Sequence, residues 1–205
     1  IVRVLPYKVC KNMVFKPNIV VCMPSTVTNL EKRTILDLVT AAGAGRACLI
    51  EEPLAAALGA GLDIRRPMGT MVVDIGGGTA DIAVVTMGSI SISKSVKIAG
   101  NILDEGIVRY LRRERNIVIG EKTAESIKKR IGCAYLRDTE LAIGIKGKHY
   151  ITGMPITDEV NTTEVYLAMR EHLEAIAEGV RSVLEVTPPE LAGDISETGI
   201  LLTGG

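Results

Sequence analysis

The amino-acid sequence predicts an α/β fold with an aliphatic core. Between residues 18 and 58, apolar runs typical of buried strands alternate with runs of helical periodicity, an order that favours a parallel sheet. Three more strand-like runs follow between residues 71 and 99, separated by glycines, which indicates antiparallel hairpins. Since 47% of the 205 residues are hydrophobic but none is Trp and only one is Phe, we expect Val, Ile, Leu and Ala to fill the core.

The net charge and the apolar fraction each argue against one class of protein. Lys and Arg number 24, as do Asp and Glu, so the formal net charge is zero. A neutral chain lacks general attraction for nucleic acid, and its apolar fraction is too high for a disordered protein. We therefore expect a folded protein with no nucleic-acid partner.

One capping motif, two glycines and a proline predict the first elements. Thr28 and Glu31 have the spacing of a capping box, so a helix should begin there, and the glycines at 43 and 45 should end it. Pro53 suits the first turn of a second helix, where its missing N–H needs no partner. The predicted elements are strands at 18–23 and 46–50 and helices at 28–42 and 53–58.

Glycine turns and changes of hydrophobic period divide the rest of the chain. Thr187 and Glu190 have capping-box spacing, with Pro189 in the first turn, and predict a last helix. Before it, a long amphipathic helix is predicted from residues that recur on one face: Val165, Met169, His172, Ile176, Val180 and Val183. The other predicted elements are strands at 71–75, 79–87 and 89–99, helices at 102–115 and 123–131, and short strands up to residue 155.

The sharpest local feature is the segment VVDIGGGTAD at residues 72–81. No GxxxxGK[ST] P-loop occurs in the chain, and a strand rather than a helix follows the glycines, which argues against a dinucleotide fingerprint. Three residues without Cβ let backbone N–H groups surround a phosphate, while Asp74 could hold a hydrated Mg²⁺. An ordinary tight turn is the alternative.

Glu51 and Glu52 end a strand and begin a helix, where exposed amides favour a carboxylate. Helix capping alone would explain one of them. The functional interpretation is that Glu52 orients an attacking water.

Two further groups of polar residues have simpler interpretations. Glu125 and Lys128 lie three apart on one predicted helix, a spacing usually found in surface ion pairs. His149 and His172 lack metal-ligand spacing and a nearby nucleophile, so structural roles are expected.

Charge is polarised along the chain. Residues 107–132 carry eight basic against three acidic side chains, and residues 158–197 carry ten acidic against two basic. Solvated helix faces would explain this. The alternative is a head-to-tail contact between subunits, which would propagate a filament.

The cysteines and the chain ends bear on location and completeness. The four cysteines form no CxxC pair, which fits a reducing cytoplasm, and no apolar run approaches the roughly 20 residues that span a bilayer. The chain does not begin with Met and stops where a strand enters a glycine turn, so we expect a fragment cut at both ends.

Taken together, six segments resemble the MreB/Mbl family of bacterial actin-like cell-shape proteins, in the same order. A glycine hairpin alone is shared by actins, sugar kinases and heat-shock chaperones, but the second and fifth segments are far more specific. The six segments are KPNIVVCMPS, LIEEPLAAALGAG, MVVDIGGGTADIAVV, IGEKTAESIKKRIG, TPPELAGDI and GILLTGG.

This resemblance implies an actin-like ATPase fold of the ribonuclease H-like type, two lobes that bind ATP and Mg²⁺ in their cleft. It implies residues 1–60 as the remainder of first-lobe subdomain IA. It implies 61–102 with 157–205 as second-lobe subdomain IIA, and 103–156 as the small subdomain IIB.

The resemblance also implies roles for individual residues. Asp74 would lie near the metal, acting through water, and Glu52 and Thr79 would position the hydrolytic water. Asp81, two residues after Thr79, is a further candidate. The implied nucleotide contacts are the phosphate hairpin Gly76, Gly77, Gly78 and Thr79, the adenosine contacts Glu125 and Lys128, and the adenine-side turn that Gly204 and Gly205 begin.

The implied function is an ATPase whose filaments guide cell-wall synthesis and rod shape at the inner face of the cell membrane. Its partners would be further copies of itself, the membrane, and cell-wall synthesis and shape proteins. Val14 and Phe15, in a predicted loop near lysines, are expected to contact the membrane. The alternatives are an actin-fold chaperone or kinase that does not polymerise, and a filament scaffold without turnover.

Overall fold

The computed structural model describes residues 16–205, which form two compact units. The first contains the described residues up to 74 with 81–95 and 183–204, and the second contains 75–80, 96–182 and 205. The membrane contact predicted at Val14 and Phe15 lies outside the described residues. The three-part subdomain division remains a prediction.

The first unit begins with two strands and two helices in the predicted order: β1 Asn18–Met23, α1 Asn29–Ala41, β2 Arg46–Glu51 and α2 Glu52–Gly59. Strands β1 and β2 pair in parallel, as predicted. The capping box is also confirmed, because the Thr28 N–H donates to Glu31 Oε2 at 2.9 Å and the Thr28 hydroxyl accepts from the Glu31 N–H at 3.4 Å.

A four-stranded sheet follows in the order β5-β4-β3-β9, with β3 Thr70–Ile75, β4 Ala80–Thr86, β5 Ser89–Val96 and β9 Ile200–Gly204. The connections at 76–79 and 87–88 are too short for a crossover, so β3, β4 and β5 form the predicted antiparallel hairpins. Met87 and Gly88 both have positive φ, 50° and 75°, as a type I′ turn requires.

Helix α2 packs onto this sheet. Ala57 of α2 is fully buried in a cluster with Val72 of β3 and Val85 of β4, and Leu54 lies against the same cluster. This apolar contact fixes the start of α2, and with it Glu52, relative to the central strands.

The last helix, α6 Pro189–Thr198, corrects one sequence prediction. Its N-cap is Pro188, which offers no side-chain hydrogen bond, so the capping box predicted at Thr187 does not form. The buried Thr187 hydroxyl instead donates to the carbonyl oxygen of Val183 at 2.7 Å, because the preceding helix ends within reach of it.

The second unit contains a three-stranded antiparallel sheet and three helices: α3 Gly100–Arg115, β6 Ile117–Val118, α4 Glu121–Ile131, β7 Ala142–His149, β8 Pro155–Asn161 and most of α5 Thr162–Val186. Its core is aliphatic, as expected, and includes Ile107 of α3, Ile127 of α4 and Val165 of α5. Helices α3 and α4 each begin two residues earlier than the sequence predicted.

Part of the charge polarity is neutralised inside this unit. Arg115 Nη2 lies 2.7 Å from Asp158 Oδ2, and its Nη1 lies 2.6 Å from Glu164 Oε1. One residue of the basic segment is therefore already paired with the acidic segment of the same chain. Across residues 16–205, no helix combines the length and apolarity needed to cross a membrane.

Candidate functional site

Three carboxylates interact in the first unit, at the start of α2 and in the two central strands. They are Glu52, Asp74 and Asp81. Asp81 is only 2% exposed, and its Oδ1 has no hydrogen-bond partner among the described residues. A buried carboxylate oxygen without a partner costs free energy, which a nearby cation would offset.

The electrostatics of the group point the same way. Burial raises the pKa of Glu52 above its usual range, and the charges of Asp81 and Asp74 raise it further. Burial also raises the pKa of Asp74, with a second contribution from Asp81. Both shifts follow from desolvation and like-charge repulsion, which a bound cation would relieve.

The donor chemistry fits magnesium in one particular form. Within residues 16–205, no three or more His, Cys, Asp or Glu side chains are placed to hold a metal ion between them. Mg²⁺ in phosphate sites usually keeps several waters and takes one or two carboxylates. The group therefore fits a hydrated ion better than one enclosed by protein ligands.

The two adjacent glutamates have different surroundings. Glu51 is the N-cap of α2 but makes no side-chain capping hydrogen bond, and its Oε1 lies 3.3 Å from Lys32 Nζ. In the part of the chain that the structure describes, the Glu52 carboxylate has no hydrogen bond or ion pair. A capping hydrogen bond thus explains neither side chain.

In the second unit, hydrogen bonds fix the glycine hairpin at residues 76–78. The Gly76 N–H donates to the Thr79 carbonyl oxygen at 2.9 Å and closes the turn. The carbonyl oxygens of Gly76 and Gly77 accept from the N–H groups of Gly100 and Asn101, at 3.0 and 2.8 Å. The N–H groups of Gly77 and Gly78 have no acceptor among the described residues. The start of α3 therefore holds the hairpin by its carbonyls and leaves two donors available.

Open space, not backbone strain, distinguishes these glycines. None of the three has a positive φ. A Cβ added at Gly78 would meet nothing within 4 Å, whereas one at Gly77 would lie 3.4 Å from Asn101 Oδ1. Packing therefore does not require glycine at 78, and its small size keeps the surface beside the free N–H groups accessible.

The two residues assigned to adenosine by resemblance do not pair with each other. Glu125 Oε1 lies 2.7 Å from Lys129 Nζ, an exposed pair one turn apart. Lys128 Nζ donates to the Gly100 carbonyl oxygen at 2.9 Å and lies 2.9 Å from Asp104 Oδ1. The surface ion pair considered for Glu125 and Lys128 is therefore wrong.

The glycine turn at the other end of the chain has positive φ at both predicted residues, 108° at Gly204 and 121° at Gly205. The Gly205 N–H donates to the carbonyl oxygen of Ile75 at 3.1 Å. This bond joins Gly205 to the residue that precedes the hairpin.

Sequence reasoning missed Asp104 and Gly100. A signal for Asp104 was present, because it falls three and seven residues before Ile107 and Leu111, on the apolar face of α3. A carboxylate at such a position needs a buried partner. No comparable signal marks Gly100, whose contacts come from segments distant in sequence.

Comparison with known protein families gives a decisive match. A family model described as MreB/Mbl protein matches residues 1–205. The chain belongs to the MreB/Mbl family. Among curated relatives, the cell shape-determining protein Mbl of Bacillus subtilis (strain 168) is 43% identical over 195 residues, covering 95% of this chain and 59% of Mbl. The cell shape-determining protein MreB of Escherichia coli (strain K12) is 46% identical over 189 residues, covering 92% of this chain and 54% of MreB.

Solved structures of the MreB/Mbl family and its relatives confirm the actin-like α/β fold. MreB5 of Spiroplasma citri bound to AMPPNP has a TM-score of 0.92 and 38% identity, over 99% of this chain and 62% of MreB5. The same protein is known bound to ADP, with a TM-score of 0.92. The MamK double helical filament, at 22% identity and a TM-score of 0.78, supports the fold alone. This MreB/Mbl family chain spans somewhat over half the length of the curated relatives it matches.

Proposed function

We propose that this chain is the nucleotide-binding part of an ATPase that assembles into filaments at the inner face of the cell membrane. Those filaments would guide cell-wall synthesis and rod shape together with other shape proteins. Family membership supports this proposal, as do the AMPPNP and ADP held by the S. citri relative.

The observation that carries the proposal is the state of the glycine hairpin. Its carbonyl oxygens at 76 and 77 are engaged by α3, its N–H groups at 77 and 78 have no acceptor within residues 16–205, and the space beside Gly78 is open. Backbone N–H groups arranged in this way bind phosphate oxygens. A tight turn would need neither the free donors nor the open side.

The carboxylates supply the second requirement of phosphoryl transfer. Asp74 precedes the hairpin by two residues and would hold Mg²⁺ through its water shell, where the metal neutralises charge on the phosphates. Glu52 would accept a hydrogen bond from the O–H of the attacking water, and Thr79 would be a second group that positions this water. The raised pKa of Glu52 makes it a better acceptor than an ordinary carboxylate.

The test compares two adjacent glutamates in the protein expressed from its complete reading frame. Glu52→Gln should bind ATP and assemble but release phosphate about a hundredfold to ten-thousandfold more slowly, since a neutral amide oxygen is a far weaker proton acceptor for the water than a carboxylate. Glu51→Gln is the matched control, because its carboxylate is held by Lys32, and should retain nearly normal turnover. If Glu52→Gln stays within about twofold of wild type, the assigned role is wrong.

Two further readouts separate the alternative functions. Sedimentation with ATP should pellet filaments, whereas an actin-fold chaperone or kinase would stay in the supernatant. Phosphate release by the wild-type filaments would exclude a scaffold without turnover.

A further inference from the structure

Lys128 reaches from α4 to the first turn of α3 instead of pointing into solvent. Its Nζ donates to the Gly100 carbonyl oxygen at 2.9 Å and lies 2.9 Å from Asp104 Oδ1. Its side chain is 20% exposed and that of Asp104 12%. Asp104 Oδ1 makes no hydrogen bond of regular geometry, so its attraction to the ammonium is mainly electrostatic.

The peptide group that Lys128 binds is the one that holds the hairpin. The carbonyl of Gly100 and the N–H of Asn101 belong to the same peptide plane. Lys128 binds the oxygen of this peptide, and the N–H of the same peptide, that of Asn101, donates to the Gly77 carbonyl oxygen at 2.8 Å. A cation on a peptide oxygen polarises the group and strengthens the hydrogen bond donated by its N–H.

The packing around Gly100 leaves little freedom for this arrangement. A Cβ at Gly100 would lie 3.3 Å from both the Gly76 carbonyl oxygen and Lys128 Nζ. The hairpin, the start of α3 and the lysine are thus in direct contact, and a displacement of the ammonium would move the peptide that anchors Gly77.

We infer that Lys128 is a positioning residue for the glycine hairpin: through the Gly100–Asn101 peptide and Asp104, it sets the placement of the N–H groups at 77 and 78 for a polyphosphate. This inference rests on the proposed function. It differs from the adenosine contact implied by resemblance, because a positioning role acts on the phosphates whatever is attached to them.

The experiment compares two ligands by isothermal titration calorimetry, Mg²⁺-ATP and Mg²⁺-tripolyphosphate, which lacks the nucleoside. Lys128→Met should weaken both by the same factor, about ten- to hundredfold, since a charged hydrogen bond is lost. Asp104→Asn should weaken both to a smaller extent, because Lys128 keeps its bond to Gly100. Lys129→Met removes an adjacent charge whose ion pair among the described residues is with exposed Glu125 and which acts on Asp104 only through space, so both affinities should change far less than in Lys128→Met.

A spectroscopic readout tests the link without nucleotide. In Lys128→Met the amide proton of Asn101 should shift upfield, because its peptide is no longer polarised, and in Lys129→Met it should not move. Weaker ATP binding with unchanged tripolyphosphate binding would show that Lys128 recognises the nucleoside and would overturn the inference. A wild-type protein that binds neither ligand would refute the proposed function itself, a different result.

Discussion

The close packing of α3 against α5 predicts that replacing one glycine of α3 by alanine destabilises the protein, although alanine has the higher helix propensity. Gly106 lies inside α3, and a Cβ built there would be 2.7 Å from the carbonyl oxygen of Ala168 and 3.3 Å from Cδ2 of His172. Cβ atoms essentially never approach backbone oxygen closer than 3.0 Å, so Gly106→Ala must separate the two helices by at least 0.3 Å. The oxygen belongs to helix α5 and cannot move alone.

The magnitude follows from two competing terms. Replacing glycine by alanine inside a helix is worth up to about 1 kcal/mol in favour of folding. Overpacking a close contact costs about 1 to 3 kcal/mol, and here it displaces the core around Ile107, Val165 and Met169. Overpacking should win, and Gly106→Ala should lose about 1 kcal/mol, which lowers the melting temperature by about 2 to 4 °C.

Gly193 of α6 provides the matched control. It also lies inside a helix, but a Cβ there would meet nothing within 4 Å, so Gly193→Ala should gain about 0.5 to 1 kcal/mol. Thermal and urea unfolding followed by circular dichroism would measure both variants. If Gly106→Ala is as stable as wild type or more so, the helices do not make the close contact described.

Three other predictions concern function. Gly77→Val should abolish ATP binding, because its side chain would hold the phosphates away from the backbone N–H groups of the hairpin. A fluorescent-analogue titration with unchanged affinity would mean that the hairpin is only a turn. Turnover should fall as the pH drops through the raised pKa of Glu52, because the protonated carboxyl no longer accepts from the water. Asp81→Asn removes a neighbouring negative charge and should move this fall in the pH–rate profile to lower pH; an unchanged profile would show that Asp81 does not raise the pKa of Glu52. Phe15→Ser should reduce co-sedimentation of filaments with liposomes, since burying one Phe contributes about 1.5 to 3 kcal/mol per subunit and a filament multiplies it; intact co-sedimentation would exclude the membrane contact.

The sequence alone determined those features that depend on neighbours in the chain. The Thr28 capping box, the positions of strands β1 and β2, the hairpins around residues 76–79 and 87–88, and the long helix α5 all follow from local spacing and hydrophobic period. The same segments carried the family resemblance. Such features are readable because the groups that stabilise them lie within a few residues of each other.

Only the tertiary structure decided which polar groups meet across long separations. Lys128 could pair locally with Glu125. Packing of α4 on α3 instead brings its ammonium to Asp104 and to the carbonyl oxygen of Gly100, which lies 28 residues earlier in the chain. Thr187 likewise turns back to Val183, although its spacing to Glu190 predicts a cap. Each of these side chains had more than one acceptable partner. The packing of the helices decided which partner came within reach, because burial of their apolar faces is the dominant favourable term in the free energy of folding.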